Sequence, residues 1–140
     1  MTYRDTLEYL SSFNRMGIRL GLDPIRCLLE RLHNPQNSFP AVLIAGTNGK
    51  GSVAAMTAAI LSAGGFKTGL YTSPDLIDFR ERIRINGRMI SRREVDICVR
   101  GVKGQIREEL SYFEILTAMA FLHFHRQQVE IAVLEIGMGG

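Results

Sequence analysis

The stretch Leu43–Met56, LIAGTNGKGSVAAM, decides how the rest of the chain is read. It begins inside an apolar run, Ala41 to Ala45, and opens into small residues suited to a helix. Between them stand Gly46, Gly49 and Gly51 with Lys50 and Ser52. Glycines let a backbone approach phosphate oxygens closely, and a lysine and a hydroxyl can then neutralise and orient them. The spacing departs from the usual GxxxxGK followed directly by Ser or Thr: Gly51 separates Lys50 from Ser52, and Ile44 occupies the place of the first glycine.

Working outward, AVLIA is bounded by Pro40 and Gly46 and reads as a buried parallel strand. SVAAMTAAILSAGG reads as a helix closed by Gly64 and Gly65, and KTGLYTS as a second strand. Strand, glycine loop, helix and strand make a unit of doubly wound type. Backbone N–H groups and the positive end of the helix dipole then converge on one anion site, with Lys50 set to meet β and γ phosphates and Ser52 to meet phosphate or Mg²⁺. Glu135 ends the apolar run IAVLE, which puts a carboxylate at the carboxyl edge of a parallel sheet as a candidate metal ligand; a capping or salt-bridged role is the alternative. Ser73, in YTSP, could add an oxygen, although Ser-Pro on its own reads as the start of a turn.

Elsewhere, Tyr3, Leu7 and Leu10 predict an amphipathic helix to about Phe13. Asp23 as cap and Pro24 in the first turn predict a helix start, followed by the stripe Ile25, Leu28, Leu29, Leu32 and an end near Asn34. FRERIRINGRMI, with its Asn86-Gly87, predicts a β-hairpin. Ser91 with Glu94 and Ser111 with Glu114 have capping-box spacing and predict two further helices. Ile115, Leu116, Met119 and Leu122 are candidate core, and VEIAVLEIGMGG is a buried strand running into glycines.

With 140 residues, 46% of them hydrophobic, the chain can bury a core as one domain. A net charge of +3 suits an anionic ligand without calling for nucleic acid. Cys27 and Cys98 show no CxxC spacing and the opening MTYRDTLEY does not read as a secretory leader, so a cytoplasmic setting is expected. No apolar stretch approaches the roughly 20 residues needed to span a bilayer. Arg80, Arg82, Arg84, Arg88, Arg92 and Arg93 could attract ATP or a polyglutamate but read first as a solvated face, and His33, His123 and His125 have no metal-ligand spacing.

GIRLGLDPIRCLLERLHNPQNSFPAVLIAGTNGKGSV, GLYTSPDLIDFRERIRING, SYFEILTAMAFLHF and VEIAVLEIGMGG together resemble the N-terminal part of the folylpolyglutamate synthase / dihydrofolate synthase family of the Mur ligase superfamily. The resemblance implies an α/β fold: a P-loop-containing parallel sheet with flanking helices, the Mur ligase central ATPase domain in truncated form, with a small β-hairpin. Residues 1–140 would be the N-terminal part of that ATP-binding domain, its remainder and a C-terminal glutamate-binding domain being absent. By the same resemblance Thr47, Asn48, Gly49, Lys50, Gly51 and Ser52 hold ATP, Lys50 being catalytic, and Ser73 and Glu135 hold Mg²⁺. Ser111, Tyr112, Phe113 and Glu114 match a segment that contacts the pterin-bearing substrate, as does the loop Ser12, Phe13, Asn14 and Arg15. Family members often carry His where Asp75 follows TSP here.

The implied activity is an ATP-dependent amide ligase that adds L-glutamate to folate or dihydropteroate through an acyl phosphate. The alternatives are a cell-wall Mur-type ligase, disfavoured by LGLDPI and SYFE, and a P-loop nucleotide-binding module without ligase chemistry. The chain alone is expected to lack activity and to self-associate through its exposed sheet.

Overall fold

The computed structural model describes residues 2–15, 21–46, 48–75 and 77–136. In chain order the elements are α1 (Tyr3–Ser11), α2 (Asp23–Arg31), β1 (Ala41–Ile44), α3 (Lys50–Ala63), β2 (Thr68–Tyr71), β3 (Ile83–Ile85), β4 (Arg88–Met89), α4 (Arg92–Lys103), α5 (Tyr112–Arg126) and β5 (Ile131–Glu135). They form two compact units, one of Met1–Gln36 with Arg92–His123, the other of Asn37–Ser91 with Phe124–Gly140.

The first unit is helical. Thr2 caps α1 by accepting the Asp5 N–H while the Asp5 carboxylate accepts the Thr2 N–H, at 3.1 and 2.9 Å. That bond to the Thr2 backbone holds the Asp5 carboxyl below its usual range. The inward side of α1 differs from the expected stripe. Leu10 is buried but Leu7 is exposed, and Thr6 is buried in its stead with its hydroxyl donating to Asp96 at 2.8 Å. The helix also ends earlier than Phe13, because the Ser12 hydroxyl bonds back to the Tyr9 carbonyl and the chain tightens into a 3₁₀ turn, Ser12–Arg15.

Asp23 does not cap α2; it is the first helical residue, where its charge favours the dipole, and Leu22 precedes it without a side-chain cap. The helix stops before Asn34 because His33 and Asn34 turn left-handed, φ 66° and 51°, and the Asn34 N–H returns to the Leu29 carbonyl. Leu28 and Leu29 are buried, as are Val95, Cys98, Val99 and Val102, which recur on one face of α4. Burial of each such side chain contributes about 1.5–3 kcal/mol. Ile115, Leu116 and Met119 of α5 are buried as expected, and Leu122 is half-buried.

The second unit is a five-stranded sheet in the order β1-β5-β2-β3-β4. β1, β5 and β2 are parallel, while β3 and β4 run antiparallel, so the hairpin expected from FRERIRINGRMI extends the sheet and makes it mixed. Asn86 and Gly87 take φ 49° and 81° in its turn, conformations that Asn and Gly adopt most readily. Phe79–Arg82 is a 3₁₀ turn and not strand, because Asp78 and Glu81 cap it reciprocally.

AVLIA forms a parallel strand, but at the sheet's edge and not its buried centre; Leu43 is exposed, and the middle place among the three parallel strands belongs to β5, whose Ala132 and Val133 are buried. α3 covers one face through Ala54 and Ala58 against Val133, with Val42, Ile44, Leu61 and Leu70 around them. On β2, Gly69 is required by packing: a Cβ there would stand 2.9 Å from the Phe124 ring.

Candidate functional site

The helix after the glycine loop begins at Lys50, two residues earlier than Ser52, so the lysine and Gly51 form its first turn. Gly49 precedes it at φ 74°, a left-handed conformation, and as the N-cap it offers the first N–H groups no side-chain bond. The end of α3 is thus left to bind an anion from outside the helix. A Cβ on Gly51 would come to 4.0 Å from Glu135 Oε2, and one on Gly46 to 3.9 Å from the Lys50 stem. Both are ordinary contact distances, so the demand for glycine in this loop is conformational, at Gly46 and Gly49 with φ 139° and 74°.

Parallel pairing delivers the acid. Ile44 and Glu135 are opposite one another on β1 and β5, and Tyr71 pairs with Leu134, so the ends of three strands meet near the start of α3. The Glu135 side chain is largely buried and accepts the Ser73 N–H at 3.1 Å. Lys50 Nζ donates to the Ile136 carbonyl at 3.0 Å. Gly49, Lys50, Gly51, Ser73 and Glu135 line one cavity of about 500 Å³, with Thr72, Glu81 and Arg84 on its wall. Asn48 and Ser52 are exposed on either side of Gly49-Lys50-Gly51, and Thr47 lies outside the described residues.

The acidic and hydroxyl groups suit a hard, oxygen-seeking cation. Mg²⁺ takes one or two protein oxygens and completes its shell with phosphate and water. The Glu135 carboxylate with Ser73 beside it is such a set, and among the described residues no three His, Cys, Asp or Glu side chains converge.

The remaining residues singled out from sequence lie on the helical unit. Ser111 and Glu114 form a capping box at the start of α5: the Glu114 N–H donates to Ser111 Oγ at 3.1 Å and the Ser111 N–H to Glu114 Oε1 at 2.9 Å. Tyr112 is half-buried and Phe113 exposed. Phe13 meets Tyr9 edge-on at 5.3 Å, and the Asn14 and Arg15 side chains lie outside the described residues. Sequence reasoning missed Glu81 and treated Arg84 as solvated surface. The available signal was the strand period, which sets Arg84 opposite Leu70 and on the face that α3 covers.

Glycine loop, lysine at a helix N-terminus and carboxylate at a strand end, all in one cavity of an α/β sheet, define a phosphate-loop protein of the nucleotide-binding class. No family model matches the chain. It is 40% identical, over its whole length, to a probable bifunctional folylpolyglutamate synthase/dihydropteroate synthase of Haloferax volcanii, and 46% identical over 89% of its length to a probable dihydrofolate synthetase of Schizosaccharomyces pombe. A solved folylpolyglutamate synthase complex with AMPPCP and folate superposes on the whole chain with a TM-score of 0.93 at 37% identity. The chain spans 17% and 31% of those two relatives and 36% of that structure. By sequence and by fold it is a homologue of part of the folylpolyglutamate synthases and dihydrofolate synthases.

Proposed function

We propose that this chain carries the phosphate-binding part of an ATP-dependent ligase that joins L-glutamate to a folate or to dihydropteroate. The observation that supports it most is the meeting of Lys50, Glu135 and Ser73 in one cavity at the N-terminus of α3. Binding of AMPPCP and folate by a solved relative supports the same substrates. In this reading Thr47, Asn48, Gly49, Gly51 and Ser52 surround the ATP phosphates with N–H and hydroxyl donors. Lys50 neutralises charge that grows on the γ-phosphate as it passes to the acceptor carboxylate. Glu135 and Ser73 hold Mg²⁺, which when bound supplies further charge neutralisation at the phosphates.

The amino group of glutamate then attacks the acyl phosphate, so the protein positions and neutralises and needs no nucleophilic side chain of its own. Ser111–Glu114 and Ser12–Arg15 are proposed contacts of the pterin. Because Ser111 and Glu114 cap α5, the exposed Phe113 ring is the member of that segment best suited to a flat ligand. A cytoplasmic setting goes with this chemistry and with Cys27 and Cys98, which are not joined in a disulfide; among the described residues no helix is long and apolar enough to cross a membrane. Since the relatives are several times longer, the 140-residue chain by itself is expected to be inactive, and its exposed Leu43 on edge strand β1 supports self-association.

The test incubates the protein with ATP, Mg²⁺, L-glutamate and either folate or dihydropteroate, with products read by mass. A protein that extends to the length of the relatives and adds glutamate to neither acceptor removes the proposal.

A further inference from the structure

Three arginines alternate along the segment that enters the hairpin, and the structure treats them differently. Arg80 pairs with Asp78 at 2.9 Å and Arg82 with Asp75 at 2.5 Å, both bracing the loop between β2 and β3. Glu81, between them, accepts the N–H groups of Ile77 and Asp78 at 3.1 and 3.0 Å. Arg84 braces nothing of that loop. Among the described residues it forms no ion pair, and its hydrogen bond is one donated by Nη1 to the Gly87 carbonyl at 3.2 Å. It is half-buried on β3, opposite Leu70, and lines the cavity that holds Lys50, Ser73 and Glu135.

A guanidinium carries five donors in a planar fork whose geometry matches a carboxylate or a phosphate. Setting one partly out of water without a carboxylate partner is unfavourable unless an anion from outside completes it. We propose that Arg84 binds an oxyanion of the reaction in the cavity it lines together with Lys50, and is a substrate-positioning residue. The inference rests on the ligase reading and deepens it. The shared chemistry is an oxyanion, either a nucleotide phosphate or the carboxylate of the acceptor acid.

The test compares wild type with Arg84→Ala, Arg84→Lys and Arg88→Ala in the full-length protein. Arg88 lies on the same hairpin, exposed and outside the cavity lining, and controls for net charge. AMPPCP affinity is measured by calorimetry with Mg²⁺, and KM and kcat are measured for ATP and for the acceptor acid. Loss of a charge-assisted hydrogen bond, about 1.5–3 kcal/mol, corresponds to about a 10- to 100-fold effect.

A loss of that size in AMPPCP affinity for Arg84→Ala, partly restored in Arg84→Lys and absent in Arg88→Ala, makes the oxyanion a phosphate. The same loss confined to the acceptor KM makes it a carboxylate. Arg84→Ala with unchanged AMPPCP affinity and unchanged acceptor KM overturns the inference and leaves the ligase reading standing. A folded wild type that binds no AMPPCP overturns the ligase reading and the inference with it.

Discussion

Both units pair charges, the sheet unit through Arg80–Asp78 and Arg82–Asp75, but the sheet unit also gathers charge around a cavity. In the helical unit charged side chains are joined to protein partners. Arg31 forms a two-pronged pair with Glu108 and also donates to the Gln105 carbonyl, Asp96 accepts the Thr6 hydroxyl, and Arg92 and Lys103 lie over the rings of Tyr3 and Tyr9. In the sheet unit, Lys50, Glu135 and Arg84 point into a cavity, and the ammonium and the carboxylate are held there by single backbone groups. Charges that complete one another lock helices together. Charges left beside a shared space by backbone contacts keep their capacity for a ligand.

That contrast is broken most directly by Lys50→Ala. In a protein of the relatives' full length, ligation is expected to fall by at least roughly 10²-fold, the effect of losing one donor to a developing oxyanion. The melting temperature should stay at the wild-type value, because the side chain fills no core; normal turnover would return Lys50 to the category of structural charges. Glu135→Gln keeps the shape and removes the charge. Activity should drop, and the Mg²⁺ concentration for half-maximal rate should rise by at least the roughly 10-fold that loss of an outer-sphere partner causes. An unchanged Mg²⁺ titration makes Glu135 a structural residue.

Gly69→Ala probes packing in the sheet unit without touching its charges. The added methyl meets the Phe124 ring, so urea denaturation should show a loss of about 1–3 kcal/mol, and a variant as stable as wild type contradicts the close approach.

Glu108→Gln, in the helical unit, should have the smallest effect. Hydrogen bonds from Arg31 hold the Glu108 carboxyl below its usual value of 4.5. A lowered value means the contribution to stability is present above about 4.5 and is lost as the pH falls through the folded value. The wild-type advantage in melting temperature at pH 7 should therefore shrink at pH 3. An advantage that stays constant between those pH values assigns it to something other than this ion pair.

What could be read from the sequence was local. The glycine loop and its helix, the Asn86-Gly87 turn and the Ser111/Glu114 cap each depend on residues within a few positions of one another, and each is in the structure. The strand order was not legible, because Ala41–Ile44 carries the same apolar pattern at an edge as at a centre and only pairing with β5, some 90 residues on, decides. Arg84 was illegible for the same reason, since its face depends on register with β2. Two local misreadings have local causes. Asp23 lies inside the helix it was expected to cap, and Phe79–Arg82 coils because the Asp78 carboxylate accepts the Arg80 N–H while the Glu81 carboxylate reaches back to the Ile77 and Asp78 N–H groups.

Nucleotide phosphates bound at the start of α3, with a divalent cation held by Ser73 and Glu135, are the arrangement proposed for the cavity. Crystals of the protein grown with AMPPCP and Mn²⁺ test it in one anomalous difference map. The account predicts a peak within bonding distance of the Glu135 carboxylate and Ser73, with Lys50 Nζ moved from the Ile136 carbonyl onto a phosphate oxygen. A nucleotide bound with its metal elsewhere, and Lys50 still on Ile136, would contradict it.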